Sequence, residues 1–363
     1  MNKHFLLLPL VLLLMNCGGE QKEAENQNDS EASAYVEYYG NTQGTTFAII
    51  CNDDVPLETS EIEQILDDFD LALSSYIPNS TITKLNEAPA GKFSFTDPQG
   101  YFDRCYQLSQ TVFETSDGAF DPTVFPLIDE WGFNRKIQER PDSSTVDSLR
   151  ALIGFQNGYH FNYLGADDTI KTDSTIYVLN KRTSESKLGF DAIAQGLAVD
   201  VLAEMLEEKG AENYYVEIGG EIRVKGLNSE GELWRIGIDK PIDNSTAEDR
   251  EIQQIVQLKN RSMATSGSYR KFYEEDGIKY SHTIDPRTGY PVKHSLLSVT
   301  VVAESCAIAD GMATAFMVMG ADETMKFVND HPELDLEVYL IFTNAKGRLE
   351  TYYTKNFRDS IIE

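Results

Sequence analysis

Asp310 and Thr314 lie four residues apart in the segment Ala309-Asp-Gly-Met-Ala-Thr-Ala315. On a helix that spacing projects a carboxylate and a hydroxyl from one face. Both are hard oxygen donors of the kind Mg2+ accepts, with water and phosphate completing an octahedral shell. Their neighbours Ala307, Ile308, Met312, Ala313, Phe316 and Met317 are small or apolar, so an unpaired carboxylate among them would be costly. The plainer alternative is an exposed Asp beside a Thr bonded back to its own helix. A second cluster runs His282-Thr-Ile-Asp-Pro-Arg-Thr-Gly-Tyr-Pro291. Its histidine could take a proton from an attacking hydroxyl or give one to a leaving phosphate. A lone strand histidine is more often a structural hydrogen-bonder, but here an acid, a cation and a hydroxyl stand beside it. Arg287 could meet pyrophosphate oxygens or brace Asp285 through a bidentate bond, and bracing is the favoured reading.

Three further segments could contact an anionic, ring-bearing ligand. Leu188-Gly-Phe-Asp-Ala-Ile-Ala-Gln-Gly-Leu-Ala-Val-Asp200 places one glycine before a helix and another within it. Such glycines permit close backbone approach, and helix N-termini attract phosphate; plain helix packing would explain them equally well. Thr265-Ser-Gly-Ser-Tyr269 could form an anion-binding nest or only a turn. Asp117-Gly-Ala-Phe-Asp-Pro-Thr123, followed by Trp131-Gly-Phe133, offers flat apolar walls for an aromatic ring, or ordinary core. No G-x-G-x-x-G and no G-x-x-x-x-G-K-[ST] occurs, so neither a dinucleotide-binding turn nor a P-loop holds a nucleotide here.

These groups need elements to position them. Ser60-Glu-Ile-Glu63 has capping-box spacing, and Ile62, Ile65, Leu66, Phe69 and Leu73 then share a helical face. A second helix is expected from Asp97-Pro98 to near Gly118, with Phe102, Cys105, Tyr106, Ser109 and Val112 inward. A third follows Gly189-Phe-Asp191 and stops at Gly210. Ser305–Met319 and Asp322–Asn329 are expected as helices, and 139–147 as a polar surface excursion. Strands are expected at Thr45–Cys51, Tyr214–Ile218, Glu221–Lys225, Trp234–Ile238, Ile252–Leu258, Lys279–Thr283, Leu297–Ala303 and Glu337–Thr343. Strands and helices come in blocks rather than in βαβ alternation, which predicts an α+β fold with a mixed or antiparallel sheet.

Over roughly Thr42 to Gly320 these ordered segments resemble the ApbE family, the FAD:protein FMN transferases. The resemblance implies a T-fold-like α+β core. It implies Mg2+ held by Asp310, Thr314 and the main-chain oxygen of Ala192. FAD, as substrate, would meet Gln43, Tyr76, Ala119, Phe120, Asp121, Gly189, Gln195 and Ile284. His282 and Asp285 would serve catalysis, with His282 as the general base. FMN would pass to a Thr or Ser hydroxyl of an exported acceptor carrying a motif such as Asp-x-x-Ser/Thr-Gly-Ala-Thr, and AMP would leave. Subunits of Na+-translocating NADH:quinone reductase and of Rnf-type complexes are the acceptors the family suggests. Three positions depart from the family pattern: Gly189 stands where many members have Asp, Gln195 where many have Lys, and Gln43 where Met is common. The alternatives are a FAD pyrophosphatase that uses water, and a non-enzymatic FAD-binding lipoprotein.

The chain begins with Lys3 and His4, then an apolar run from Phe5 to Met15 too short to span a bilayer as a helix. Leu14-Met15-Asn16-Cys17 resembles a lipobox, apart from Asn16, and so predicts a signal over 1–17 with lipid on Cys17; an ordinary signal peptide cut nearby is the alternative. Acyl chains would hold the protein on the outer side of a membrane. Residues 18–34 lack aromatic and β-branched side chains and read as a flexible tether, leaving 35–363 for the catalytic domain. A net charge of −28, from 31 basic and 59 acidic residues, argues against nucleic acid or anionic lipid as a partner. An anionic substrate would then need a local cation. With Cys17 lipidated, Cys51, Cys105 and Cys306 read as small buried apolar residues rather than a disulfide framework.

Overall fold

The computed structural model describes residues 34–133, 140–156, 160–167, 175–242, 251–268, 272–275, 278–281 and 283–362. The signal, Cys17, the tether up to residue 33 and His282 lie outside the described residues. Alternation of side chains builds the central layer. Along β6 (Tyr214–Ile218), Tyr214, Val216 and Ile218 enter one core and Tyr215 packs on another. Along β16 (Glu337–Thr343), Val338 and Leu340 face the first core while Tyr339 and Ile341 face the second. A strand with apolar residues on both faces must be covered on both. These strands lie in an eight-stranded antiparallel sheet, ordered β1 (Tyr35–Thr42), β2 (Thr45–Asn52), β6, β7 (Glu221–Lys225), β10 (Ser262–Gly267), β15 (Leu296–Ala303), β16 and β17 (Leu349–Tyr353).

One face of the sheet carries α6 (Ala194–Glu208) and α7 (Cys306–Asp330), with α1 (Thr59–Leu73) and α3 (Tyr101–Thr115) packed on them. The other face is covered by a smaller sheet of β8 (Trp234–Asp239), β9 (Ile252–Leu258) and β18 (Ile361–Ile362) with α8 (Lys355–Asp359), around Trp234, Val256, Met263 and Phe357. A third sheet, β3 (Gly91–Thr96), β5 (Ile176–Lys181) and β4 (Phe161–Ala166), meets α3 through Phe95, Phe102 and Tyr163. Short elements complete the chain: α2 (Thr81–Glu87), α4 (Phe125–Glu130), α5 (Ser143–Arg150), the hairpin β11 (Phe272–Glu275) and β12 (Ile278–Ser281), and the pair β13 (Ile284–Asp285) and β14 (Tyr290–Pro291). The fold is α+β and antiparallel, as the block pattern predicts. Among the described residues no helix is long and apolar enough to cross a membrane.

Several expected boundaries shift for local reasons. The first expected strand is the second arm of a hairpin: Gln43 and Gly44 both take positive φ (49° and 74°), the two-residue turn that suits strand twist. α1 begins at Thr59, and the carboxylate of Glu61 accepts the N–H of Glu58 at 3.1 Å, so the expected cap at Ser60 lies inside the helix. α3 starts at Tyr101, and Asp97 acts from outside by accepting the N–H of Asp103 at 2.9 Å. α6 starts at Ala194, after a turn at 191–193. The two helices expected after Ser305 join as α7 across a kink at Gly320, whose φ of 80° is non-helical. Part of the expected surface excursion is α5, capped where Asp142 accepts the N–H of Thr145 at 2.8 Å and held by buried Val146. Thr265-Ser-Gly267, expected as a turn or nest, is the end of β10 paired with β15, because its backbone N–H groups serve the ladder. Cys51, Cys105 and Cys306 are free and buried.

Candidate active site

A cleft of about 790 Å³ opens beside the end of β10, floored by α6 and α7. Its size suits a drug-sized or nucleotide ligand. The floor depends on glycine. A Cβ on Gly196 would lie 2.5 Å from the carbonyl oxygen of Cys306, so the backbones of α6 and α7 touch there. At that contact the N–H of Gly196 donates to Oδ2 of Asp310 at 3.1 Å. Asp310 is only 7% exposed, and burial pushes its carboxyl up to about 7. One turn along α7, the Thr314 hydroxyl lies 3.4 Å from that of Ser266 on β10. Sequence spacing does therefore place carboxylate and hydroxyl on one face, looking into the cleft.

Ala192 and Gln195 enter the same cleft from the segment that leads into α6. That segment is tied at Leu188, whose carbonyl accepts from the Asn86 carboxamide at 2.7 Å and whose N–H donates back to it at 2.8 Å. The N–H of Gly189 donates to the Pro122 carbonyl at 2.8 Å, and a Cβ there would stand 2.9 Å from the Phe125 ring. Glycine at 189 is thus matched to this chain's own Phe125; an Asp would require the ring to move.

The opposite wall follows α3. Gly118, at φ 73°, closes the helix with its N–H on the Phe113 carbonyl at 2.9 Å. Ser116 then accepts the Phe120 N–H at 3.1 Å, which turns Ala119, Phe120 and Asp121 toward the cleft. Asp121 accepts from the Thr123 N–H at 2.7 Å and from its hydroxyl, yet burial still raises its carboxyl to about 6. Tyr76 stands at the rim, 82% exposed, a ring free to lie against a flat ligand.

Ile284 lines the third wall, where β13 turns into β14. The turn is held from three sides. The Trp131 indole N–H donates to the Gly289 carbonyl at 2.9 Å. Arg150 donates to the Arg287 carbonyl at 2.8 Å. Arg287 itself grips Asp285 (3.0 Å) and Glu323 (2.7 Å). Asp285, expected beside the catalytic histidine, is taken up by this bracing and does not line the cleft; Arg287 braces, as favoured. Gln43, in the hairpin turn with φ 49°, is likewise not among the residues lining the cleft. The other expected contacts, Tyr76, Ala119, Phe120, Asp121, Gly189, Ala192, Gln195, Ile284, Asp310 and Thr314, share one cleft.

Two lining acids, Asp191 and Glu221, are not among the residues that the motifs single out. Glu221 follows the Gly219-Gly220 turn, and that glycine pair, with its positive φ values, is the available signal. With Asp121 and Asp310 they make four carboxyl groups, and among the described residues no Lys or Arg lines the cleft. A cation bound there would offset the repulsion between these carboxyl groups and an anionic phosphate. The donors fit a hard divalent ion: a buried carboxylate with one backbone partner, a hydroxyl, and nearby main chain. No cluster of three or more His, Cys, Asp or Glu suited to a metal occurs among the described residues, so such a site would mix side-chain and main-chain oxygen.

The structure thus defines an α+β protein with an acid-floored, aromatic-walled cleft. The sequence profile of the ApbE family matches residues 43–340, and the chain belongs to that family. It is similar to the FAD:protein FMN transferase of Vibrio cholerae, 35% identical over 338 residues covering 90% of each chain. It is likewise similar to that of Haemophilus influenzae, 33% identical over 316 residues covering 85% of this chain and 86% of the relative. Among solved structures it resembles the flavin transferase ApbE from Vibrio cholerae (TM-score 0.74, 32% identity, 90% of this chain and 99% of that one). The apo flavinyl transferase ApbE of Pseudomonas stutzeri gives a TM-score of 0.75 at 31% identity, with 90% and 97% covered.

Proposed function

We propose that this chain is a Mg2+-dependent FAD:protein FMN transferase, anchored through lipid on Cys17 to the outer side of a membrane. The observation that carries the reading is the buried Asp310 beside Thr314, facing an aromatic-walled cleft with no basic side chain among its described lining residues. Asp310, Thr314 and the Ala192 carbonyl would hold Mg2+, which when bound supplies charge neutralisation at the pyrophosphate. Phe120 and Tyr76 would flank the FAD rings. Gly189, Gln195 and Ile284 would line the path of the nucleotide, and Asp121, protonated below about pH 6, could there donate a hydrogen bond to it. His282 is the proposed base. It would take the proton of the acceptor Thr or Ser hydroxyl as that oxygen bonds to the FMN phosphorus, the pyrophosphate P–O bond breaks and AMP leaves. Positioning and charge compensation would account for most of the acceleration, as is usual in phosphoryl transfer.

The test mixes the full chain with FAD, Mg2+ and an exported protein bearing Asp-x-x-Ser/Thr-Gly-Ala-Thr. Covalent FMN on the motif's last Thr, seen by mass spectrometry and lost with EDTA, is the expected result. Free FMN and AMP without an adduct would replace it with a FAD pyrophosphatase, and unchanged bound FAD with a carrier.

A further inference from the structure

Asp200 lies on α6, wholly buried and outside the cleft wall. A lone buried carboxylate would be expensive, so its partners reveal its task. Oδ1 accepts the N–H of Cys306 at 3.0 Å and Nη1 of Arg223 at 2.8 Å. Oδ2 accepts the hydroxyl of Ser305 at 2.7 Å and the N–H of Ala307 at 3.0 Å. One carboxylate on α6 thus takes up the first N–H groups of α7 and is joined to β7 through Arg223. Charge-assisted bonds to a helix start are strong and directional.

The spacing gives this anchor a consequence. Gly196 is one turn before Asp200 on α6, and Asp310 is one turn after Cys306 on α7. The two helices therefore meet at two rungs: Asp200 with Cys306 and Ala307, then Gly196 with Asp310. Between the rungs the backbone of Gly196 lies against that of Cys306 and Ala307, with no room for a Cβ, so the start of α7 cannot shift without disturbing the bond from Gly196 to Asp310. We infer that Asp200 is a positioning residue for the metal edge of the cleft, setting the register of α7 so that Asp310 and Thr314 face Ala192. The inference rests on the transferase reading above.

The experiment uses the purified full chain, with Mn2+ as the probe. Its dissociation constant is read by electron paramagnetic resonance, and FAD affinity without metal by flavin fluorescence. Asp200→Asn should weaken Mn2+ binding roughly 10- to 100-fold, the range for partners that orient metal ligands, while leaving metal-free FAD affinity within about twofold. The Mg2+ concentration for half-maximal transfer should rise in step, with kcat at saturating Mg2+ retained; a merely structural role would instead lower active fraction and leave the half-activating Mg2+ unchanged. Ser305→Ala, which removes one arm and keeps the carboxylate, should give the same selective loss at about threefold, and it carries the test if Asp200→Asn does not fold. Mn2+ affinity at the parent level in the folded variants, or equal losses of Mn2+ and FAD, would overturn the inference. Asp310→Ala serves as the control: if it leaves Mn2+ affinity intact, the metal reading itself fails, whatever Asp200 does.

Discussion

The floor of the cleft is two helices whose backbones touch, whereas the wall at 284–290 is a short turn tied down by side chains. At the floor, Gly196 sits against the Cys306 carbonyl and Asp310 is bonded to the Gly196 N–H. At the turn, the ties are Trp131 to Gly289, Arg150 to Arg287, and Arg287 to Asp285 and Glu323. Helix-to-helix backbone contact leaves no slack, because close-packed interiors transmit displacement. Side-chain ties to a turn each contribute about 1 kcal/mol and can yield one at a time. The difference teaches that Asp310, the metal ligand proposed above, stands where two helix backbones fix its place, whereas Ile284 stands on a turn fixed one side-chain tie at a time.

The largest expected effect breaks the comparison at the floor. Asp310→Ala should lower FMN transfer about 1000-fold or more at ordinary Mg2+, measured as the initial rate of flavin-labelled acceptor. A variant with near-parent activity would remove the metal assignment. Gly196→Ala should come next, since its methyl must push α6 and α7 apart. We expect a loss of about 1–3 kcal/mol in urea unfolding, the usual cost of overpacking, together with weaker Mg2+ activation. Unchanged stability would mean that the floor has slack after all.

A pH experiment sharpens the contrast at the α3 wall. Burial holds Asp121 at about 6, above its ordinary 3.8. Between those values the folded protein keeps a proton the unfolded chain has released. The stability this gives is full below about 3.8 and is lost as pH climbs through about 6. Asp121→Asn keeps an acceptor for Thr123 without the titration. Relative to the parent it should gain on the order of 2–3 kcal/mol between about pH 4 and pH 8, read by denaturant unfolding at each pH. A constant difference across that range would mean that Asp121 titrates normally. The smallest effect belongs to the turn wall. Trp131→Phe removes the bond to Gly289 and retains most of the ring. A cost of about 1 kcal/mol and a few-fold rise in KM for FAD, with kcat kept, are expected from melting and steady-state assays. A collapse of kcat would show that the turn wall is as stiff as the floor.

Much of the scaffold is legible in the amino-acid pattern alone. The faces of α1 and α3 follow helical periodicity, and Ile62, Leu66, Phe69 and Leu73, like Phe102, Cys105, Tyr106, Ser109 and Val112, are buried as that periodicity requires. β6, β7, β9 and β16 fall where β-rich runs place them. β1 escapes such a reading because its pairing comes from the Gln43-Gly44 turn rather than from its own pattern. β3, β4 and β5 escape it although they are no shorter than β6 and β7; they pair with one another in a separate sheet that packs on α3 through Phe95, Phe102 and Tyr163. Of the site, residue types that bind metal or flat rings are visible as motifs. Asp285 is not separable from the cleft contacts in this way, because whether a carboxylate is already committed to a neighbour such as Arg287 is a tertiary fact.

The sequence by itself determined the block order of an α+β fold, the helical spacing of Asp310 and Thr314, and the strongly acidic charge of the chain. These depend on local periodicity and on charge, which do not require knowing the partners. Only the tertiary structure decided that α7 lies against Gly196, that Asp200 fastens its first turn, and that Arg287 holds Asp285 away from the cleft. Those outcomes join residues about a hundred positions apart or compare competing partners for one carboxylate, and close packing, not local pattern, chooses among them.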